Sequence, residues 1–128
     1  MIKTKESDQF PTDAWLLTCF KDWFDPCPLN DNPEIDGLQI AWKDKTYVNP
    51  PYSNPKPWVI KAITEAKQGK RIIMLLKHDS STEWYRLLHE YGAEFVMFGR
   101  RLQHQTGKTS NFPSVLVFLT KQLEGTDK

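Results

Sequence analysis

The residues that most restrict this chain are Asn49-Pro50-Pro51-Tyr52. A residue that precedes a proline is pushed out of the α region towards extended geometry. Each proline also fixes its own φ and gives up its N–H. The apolar pair Tyr47-Val48 comes before this stretch, and a helix-like segment follows from Lys56. The four residues therefore form a stiff corner at a strand end. The Asn49 carboxamide and the Pro50 carbonyl can be aimed at one point there, with an aromatic ring close by.

Such a corner suits the methylation of a planar exocyclic amine. The lone pair of that nitrogen is delocalised, so it is a poor nucleophile. The Asn49 side-chain oxygen and the Pro50 carbonyl can accept its two N–H hydrogens, drawing it towards sp³ geometry and turning the lone pair to a methyl donor. Tyr52 can stack on the base. A sulfonium leaving group already activates the methyl, so no metal and no strong base are required. The same four residues also read as a Pro-Pro turn between strand and helix, and a motif is a hypothesis until its context supports it.

A chain of 128 residues makes one domain with a single core, and residues 1–8 and 121–128 are polar enough to be loose ends. No apolar run approaches the roughly 20 residues that span a bilayer, and the N-terminus lacks the apolar core of a signal peptide. The expectation is a cytoplasmic protein with no membrane partner. Cys19 and Cys27 lack metal-ligand spacing and read as small buried hydrophobes in a reducing compartment. With 17 basic against 16 acidic residues, any nucleic-acid contact must come from local clusters.

Thr12 can cap a helix running to about Asp22, with Trp15, Leu16, Cys19, Phe20 and Trp23 as its inner stripe. Trp23-Phe24 then reads as a very short strand ending in Asp25-Pro26-Cys27. That puts a carboxylate at the edge where open α/β sheets bind ligands, although Asp-Pro is equally a turn initiator. Asp36-Gly37-Leu38 with Trp42 predicts an ordered turn, and Thr46–Val48 the strand that delivers Asn49. A helix over 56–68 has Trp58, Val59, Ala62, Ile63 and Ala66 inward and Gly69 as its stop. Residues 71–77 form a central strand covered on both faces. Ser80-Ser81-Thr82-Glu83 reads as a capping box opening a helix that ends at Gly92, with Trp84, Leu87, Leu88 and Tyr91 inward. Strands over 94–98 and 115–119 flank a polar, partly basic loop. The pattern predicts one α/β domain with a mostly parallel sheet and an antiparallel C-terminal edge.

Taken in order, several stretches resemble a known family, the phage-type (Dam-like) DNA N-6-adenine methyltransferases. The matching pieces are Phe10-Pro11-Thr12, Asp25-Pro26-Cys27, Asp36-Gly37-Leu38 with Trp42, and Asn49-Pro50-Pro51-Tyr52-Ser53. After them come Leu75-Leu76 leading to Asp79–Tyr85, then Gly99–Leu102, then Phe112-Pro113-Ser114. The resemblance implies a minimal Rossmann-like methyltransferase fold, S-adenosylmethionine as cofactor with no metal, and adenine in DNA as substrate. It also implies site residues. Asn49, Pro50, Pro51 and Tyr52 grip the amine. Phe10, Pro11, Thr12, Asp25, Pro26, Cys27, Asp36, Leu38 and Asn49 lie around the cofactor. A prokaryotic cell, with a phage or virus as the source of the gene, is the setting it implies.

The chain departs from the larger enzymes of that fold between Pro26 and Thr46, where the usual Gly-rich turn, helix and second acidic strand are abbreviated or absent. Asp31, Glu34 and Asp36 are the nearby acids, and Asp36 ranks first by its motif match. An open pocket, or one completed by a second copy in a homodimer or by a partner subunit, follows, with weak cofactor binding by the lone chain. An inserted target-recognition region is also missing. Since an adenine inside a duplex is out of reach, the base must be flipped or the strand single. Lys56, Arg100, Arg101 and Lys108 are the candidate phosphate contacts, although for any single one of them solvated surface charge is the favoured reading. Lys67, Lys70 and Arg71 read as a helix end complementing its dipole, and His78-Asp79 lacks further ligands for a metal. RNA adenine and protein glutamine are alternative acceptors of the same chemistry. A non-catalytic nucleic-acid-binding module that retains the fold is the alternative outside enzymes.

Overall fold

The computed structural model describes residues 18–27, 36–51, 53–97 and 113–120. Their elements are β1 (Lys45–Val48), α1 (Lys56–Lys67), β2 (Arg71–Lys77), α2 (Glu83–Tyr91), β3 (Glu94–Met97) and β4 (Ser114–Leu119). The strands form one sheet in the order β1-β2-β4-β3. β1 runs parallel to β2, with Thr46 opposite Ile72 and Val48 opposite Met74. β4 runs against both of its neighbours, setting Leu116 opposite Leu75 on one side and Val96 on the other.

The last two strands are thus antiparallel to each other as expected, but the C-terminal strand is not the edge. β4 lies between β2 and β3, and β3 takes the outside position. Burial explains the exchange. Ser114 to Val117 and Leu119 are all buried, whereas Val96 and Met97 of β3 are 48% and 56% exposed. A strand apolar on both faces requires cover that only an interior position gives. On the far side of β1, Phe24 forms a one-residue parallel bridge with Thr46. Its N–H donates to the Lys45 carbonyl and its own carbonyl accepts from Tyr47 N, each at 2.9 Å. The very short strand expected at Trp23-Phe24 is thus a single bridge at Phe24.

Alternation along the strands divides the core. Val48, Ile72, Met74, Leu76, Val115, Val117 and Leu119 face α1 and α2, which lie together on one side with Val59, Ala62, Ala66, Trp84, Tyr85 and Leu88 turned in. Tyr47, Ile73, Leu75 and Leu116 face the other way and meet Phe20, Trp23 and Phe118. Phe20 stacks on Tyr47 with ring centroids 4.6 Å apart. Residues 72–76 are at most 4% exposed, so β2 is covered on both faces as its composition predicts. Of the stripe expected over residues 12–22, Phe20 packs on the core while Trp15 and Leu16 lie outside the described residues. Cys19 corrects the expectation of a buried thiol: it is exposed, one residue and so about 100° around the helical turn from the packed Phe20.

Both described helices stop where glycine supplies a left-handed residue, at Gly69 (φ 98°) and Gly92 (φ 95°). Their starts differ. α1 has no side-chain cap; Pro55 precedes it, Pro57 sits in its first turn, and Val59 N donates to the Pro55 carbonyl at 2.9 Å. Prolines cost nothing there, since first-turn N–H groups have no intrahelical acceptor. α2 begins later than a box from Ser80 to Glu83 requires. Asp79 Oδ1 accepts from the Ser81 amide (3.2 Å) and hydroxyl (2.6 Å), which holds Ser80-Ser81 in a turn. Thr82 is the cap, its Oγ1 accepting from Tyr85 N at 3.3 Å.

Candidate active site at the carboxyl edge of the sheet

Parallel neighbours end at the same edge, so three chain segments emerge together. The Phe24 bridge delivers Asp25, β1 delivers Asn49, and β2 delivers His78 and Asp79. Asn49 is half-buried, with its side-chain carbonyl oxygen shielded from solvent. Pro50 is buried and Pro51 half-buried, and Asn54 N donates to the Pro51 carbonyl at 3.2 Å to close the corner. Prolines fix the φ angles at 50 and 51, and the corner lies between strand β1 and helix α1. Tyr52 lies outside the described residues.

Two aspartate turns stand beside this corner. Asp25 Oδ1 accepts from Cys27 N at 2.9 Å, and Asp36 Oδ1 accepts from Leu38 N at 3.0 Å. Each carboxylate is held by the amide two residues on, the local bond that makes aspartate a turn former. Crowding around the Asp25 carboxyl raises its pKa above the usual value, and the Cys27 amide opposes that shift. The two turns touch. A Cβ on Gly37 would lie 2.0 Å from the Pro26 carbonyl oxygen and 2.9 Å from Cη2 of Trp58, so only glycine fits between them. The sequence pieces Asp25-Pro26-Cys27 and Asp36-Leu38 are therefore brought together.

Trp42 supports the Asp36–Leu38 turn with which the sequence groups it, and Glu65 is the residue that the sequence does not point to. Trp42, 2% exposed, donates its indole N–H to the Gly37 carbonyl at 2.7 Å. Its backbone N–H donates to Glu65 Oε1 at 3.2 Å. Glu65, 3% exposed, also pairs with Lys61 (2.9 Å) and with Lys70. Burial raises its carboxyl pKa, but Lys70, Lys61 and the Trp42 amide outweigh burial and hold it below the usual value. The available signal was position: residue 65 falls three after Ala62 and one before Ala66, on the inner face of α1. An acid at such a place needs partners, and the adjacent lysines supply them.

Other expected residues stand apart from the corner or are otherwise engaged. Lys56 Nζ is 2.8 Å from Glu83 Oε1, bridging the first turns of α1 and α2. Lys70 is held by Glu65, and Arg71 bonds Asp44 at 2.7 Å rather than completing a helix end. The His78 amide donates to the Pro113 carbonyl at 2.9 Å, extending the β2–β4 ladder. Trp84 and Tyr85 are core aromatics. Phe10, Pro11, Thr12, Arg100, Arg101 and Lys108 lie outside the described residues. Among the described residues no group of His, Cys, Asp and Glu is arranged to hold a metal, and no helix is long and apolar enough to cross a membrane.

Fold and site together define a small α/β protein whose sheet carries an Asn-Pro corner at one strand end and the Asp25 turn, packed against the Asp36 turn, after the neighbouring bridge. Sequence comparison gives the family. The profile of the DNA N-6-adenine-methyltransferase (Dam) family matches residues 27–126, and the chain belongs to this family of adenine-specific DNA methyltransferases. A DNA N-6-adenine-methyltransferase of Haemophilus phage HP1 is 28% identical over 138 aligned positions, covering 90% of this chain and 80% of its own. One from Escherichia phage T1 is 40% identical over 72 positions, covering 55% of this chain and 30% of its own. No solved structure matches the chain significantly.

Proposed function

We propose that this protein transfers a methyl group from S-adenosylmethionine to the exocyclic N6 amine of adenine in DNA, with Asn49 and Pro50 as the residues that grip the amine. The observation that carries this assignment is the delivery of Asn49 and Asp25 to one sheet edge by hydrogen-bonded neighbouring strands. The Asn49 side-chain oxygen and the Pro50 carbonyl accept the two N–H hydrogens. Hydrogen bonding at both pulls the lone pair out of conjugation and orients it. Such pre-positioned dipoles cost no reorganisation when the reaction occurs, which is why they are effective in a water-poor site. Pro51 keeps the corner rigid, and Tyr52 stacks on the base.

The cofactor supplies a methyl group activated by its sulfonium. The residues present fit it: Asp25 and Asp36 are acceptors for hydroxyl or ammonium hydrogens, each already oriented by one backbone amide. Pro26, Cys27 and Leu38 line the same seat, and the family resemblance adds Phe10, Pro11 and Thr12 as cofactor-binding residues. A second copy of the chain closes the open side of the seat in this reading. Cofactor affinity then rises at protein concentrations where dimers form. Lys56, Arg100, Arg101 and Lys108 meet phosphates, and the adenine is flipped or presented in a single strand.

The test is incubation with labelled S-adenosylmethionine and, separately, unmethylated DNA, RNA and protein acceptors, with the product identified by mass spectrometry. N6-methyladenine in DNA that disappears in Asn49→Ala is the expected result. Label in RNA or in glutamine, or none anywhere, would overturn the assignment.

A further inference from the structure

We infer that Trp42 is a positioning residue for the cofactor: its indole N–H, through the Gly37 carbonyl, holds the Asp36–Leu38 turn against the Asp25–Cys27 loop. The inference rests on the cofactor seat proposed above and adds a residue that touches neither substrate nor cofactor.

Asp36 and Asp25 sit on turns, not on strands or helices, so the sheet alone does not fix the distance between them. Two contacts do. The first is the Gly37–Pro26 approach, so close that a Cβ would come within 2.0 Å of a carbonyl oxygen. The second is the 2.7 Å hydrogen bond from Trp42 Nε1 to the Gly37 carbonyl, in buried surroundings where a lost partner is not replaced by water. Trp42 is itself restrained along its length. Its amide is bonded to buried Glu65 on α1, and its ring lies beside Trp58, with centroids 6.4 Å apart. Trp58 also limits Gly37, its Cη2 standing 2.9 Å from where a Cβ would be. The helix that begins beyond the Asn49 corner thus carries, through Glu65 and Trp58, the support for the turn bearing Asp36. Amine grip and cofactor seat share one anchor.

This role predicts a loss in cofactor binding that is separate from turnover. Trp42→Phe keeps an aromatic ring in the core and removes only the donor and part of the ring. Titration calorimetry with S-adenosylhomocysteine, without DNA, is expected to show affinity about tenfold weaker, as for one buried hydrogen bond. In steady-state methylation of unmethylated duplex DNA, KM for S-adenosylmethionine rises to match, while kcat and KM for DNA stay within about twofold, a split expected when only ground-state cofactor binding is lost. A merely structural role would lower the active fraction and kcat and leave KM alone. Gly37→Ala is the second variant, needed if Trp42→Phe does not fold. Its added methyl meets the buried Pro26 carbonyl and the Trp58 ring, so the two turns must separate, and it is expected to weaken cofactor binding more than Trp42→Phe does. Wild-type affinity in a folded Trp42→Phe or Gly37→Ala protein overturns the inference alone. A wild-type protein that binds no S-adenosylhomocysteine overturns the cofactor reading and this inference with it.

Discussion

Lys56 and Glu83 hold the first turns of α1 and α2 together through a 2.8 Å ion pair in full view of solvent. Lys56 must exchange Glu83 for a phosphate to contact DNA. Glu83→Gln is therefore expected to strengthen DNA binding a fewfold at low salt, with the gain fading as salt is added. Lys56→Ala should weaken binding and lower the slope of log affinity against log salt by about 0.9, the value of one phosphate contact. Fluorescence anisotropy across a salt series measures both.

In the proposed cofactor seat, Asp25 sets binding against stability. Its carboxyl pKa is raised in the fold by burial, against the bond from Cys27 N, so the folded state holds that proton more tightly than the unfolded chain does. Stability from this group is then present at acid pH and lost as pH rises past the folded value. Asp25→Asn keeps an acceptor for Cys27 N and removes the charge. The expected outcome at pH 7 is a higher melting temperature together with cofactor affinity about ten- to a hundredfold lower, the range for one charge-assisted hydrogen bond. Scanning calorimetry and cofactor titration on the same preparation check the pair of effects.

Glu65 behaves in the opposite sense. Lys70, Lys61 and the Trp42 amide outweigh burial and lower its pKa. Its contribution is complete above the unfolded-state pKa and disappears as pH falls through the lower folded value. Glu65→Gln should cost about 1–3 kcal/mol at pH 7, the range for removing a charged partner from buried donors. The difference from wild type should shrink at acid pH, where Glu65 is protonated too. Urea unfolding at a series of pH values gives both numbers.

The start of α2 can be located by mutation. Thr82→Ala removes the cap from Tyr85 N and is expected to cost about 1 kcal/mol. Ser80→Ala, which a cap at Ser80 would make equally harmful, should be nearly neutral. Thermal melts of the two variants distinguish them.

Much of this architecture is legible in the residues because local signals and burial agree. β2 is an unbroken apolar run and occupies a covered position; Gly69 and Gly92 stop the helices; the Asn49 corner ends β1. The exchange of β3 and β4 was not legible, since strand order depends on comparing two segments' exposure, and each is plausible alone. The cap at Thr82 was hidden by Asp79, whose side chain captures Ser81 and moves the helix start. At the site, the motif pieces identify Asp25 and Asp36 as ends. What joins them, Gly37 against Pro26 and Trp42 above Glu65, is tertiary contact between stretches with no shared pattern.

The placement of β4 also bears on how the protein comes to be made. Residues 114–119 are the last of the sheet to leave the ribosome, yet they supply hydrogen bonds to both β2 and β3. Until they emerge, β2 has a partner on one side only and β3 has none within the sheet. Closing a strand pair across so long a stretch of chain is slow relative to local helix formation. The nascent protein therefore presents an incomplete apolar sheet until residue 119 has emerged, and the arrival of this one strand, more than any earlier step, is when the described sheet is decided.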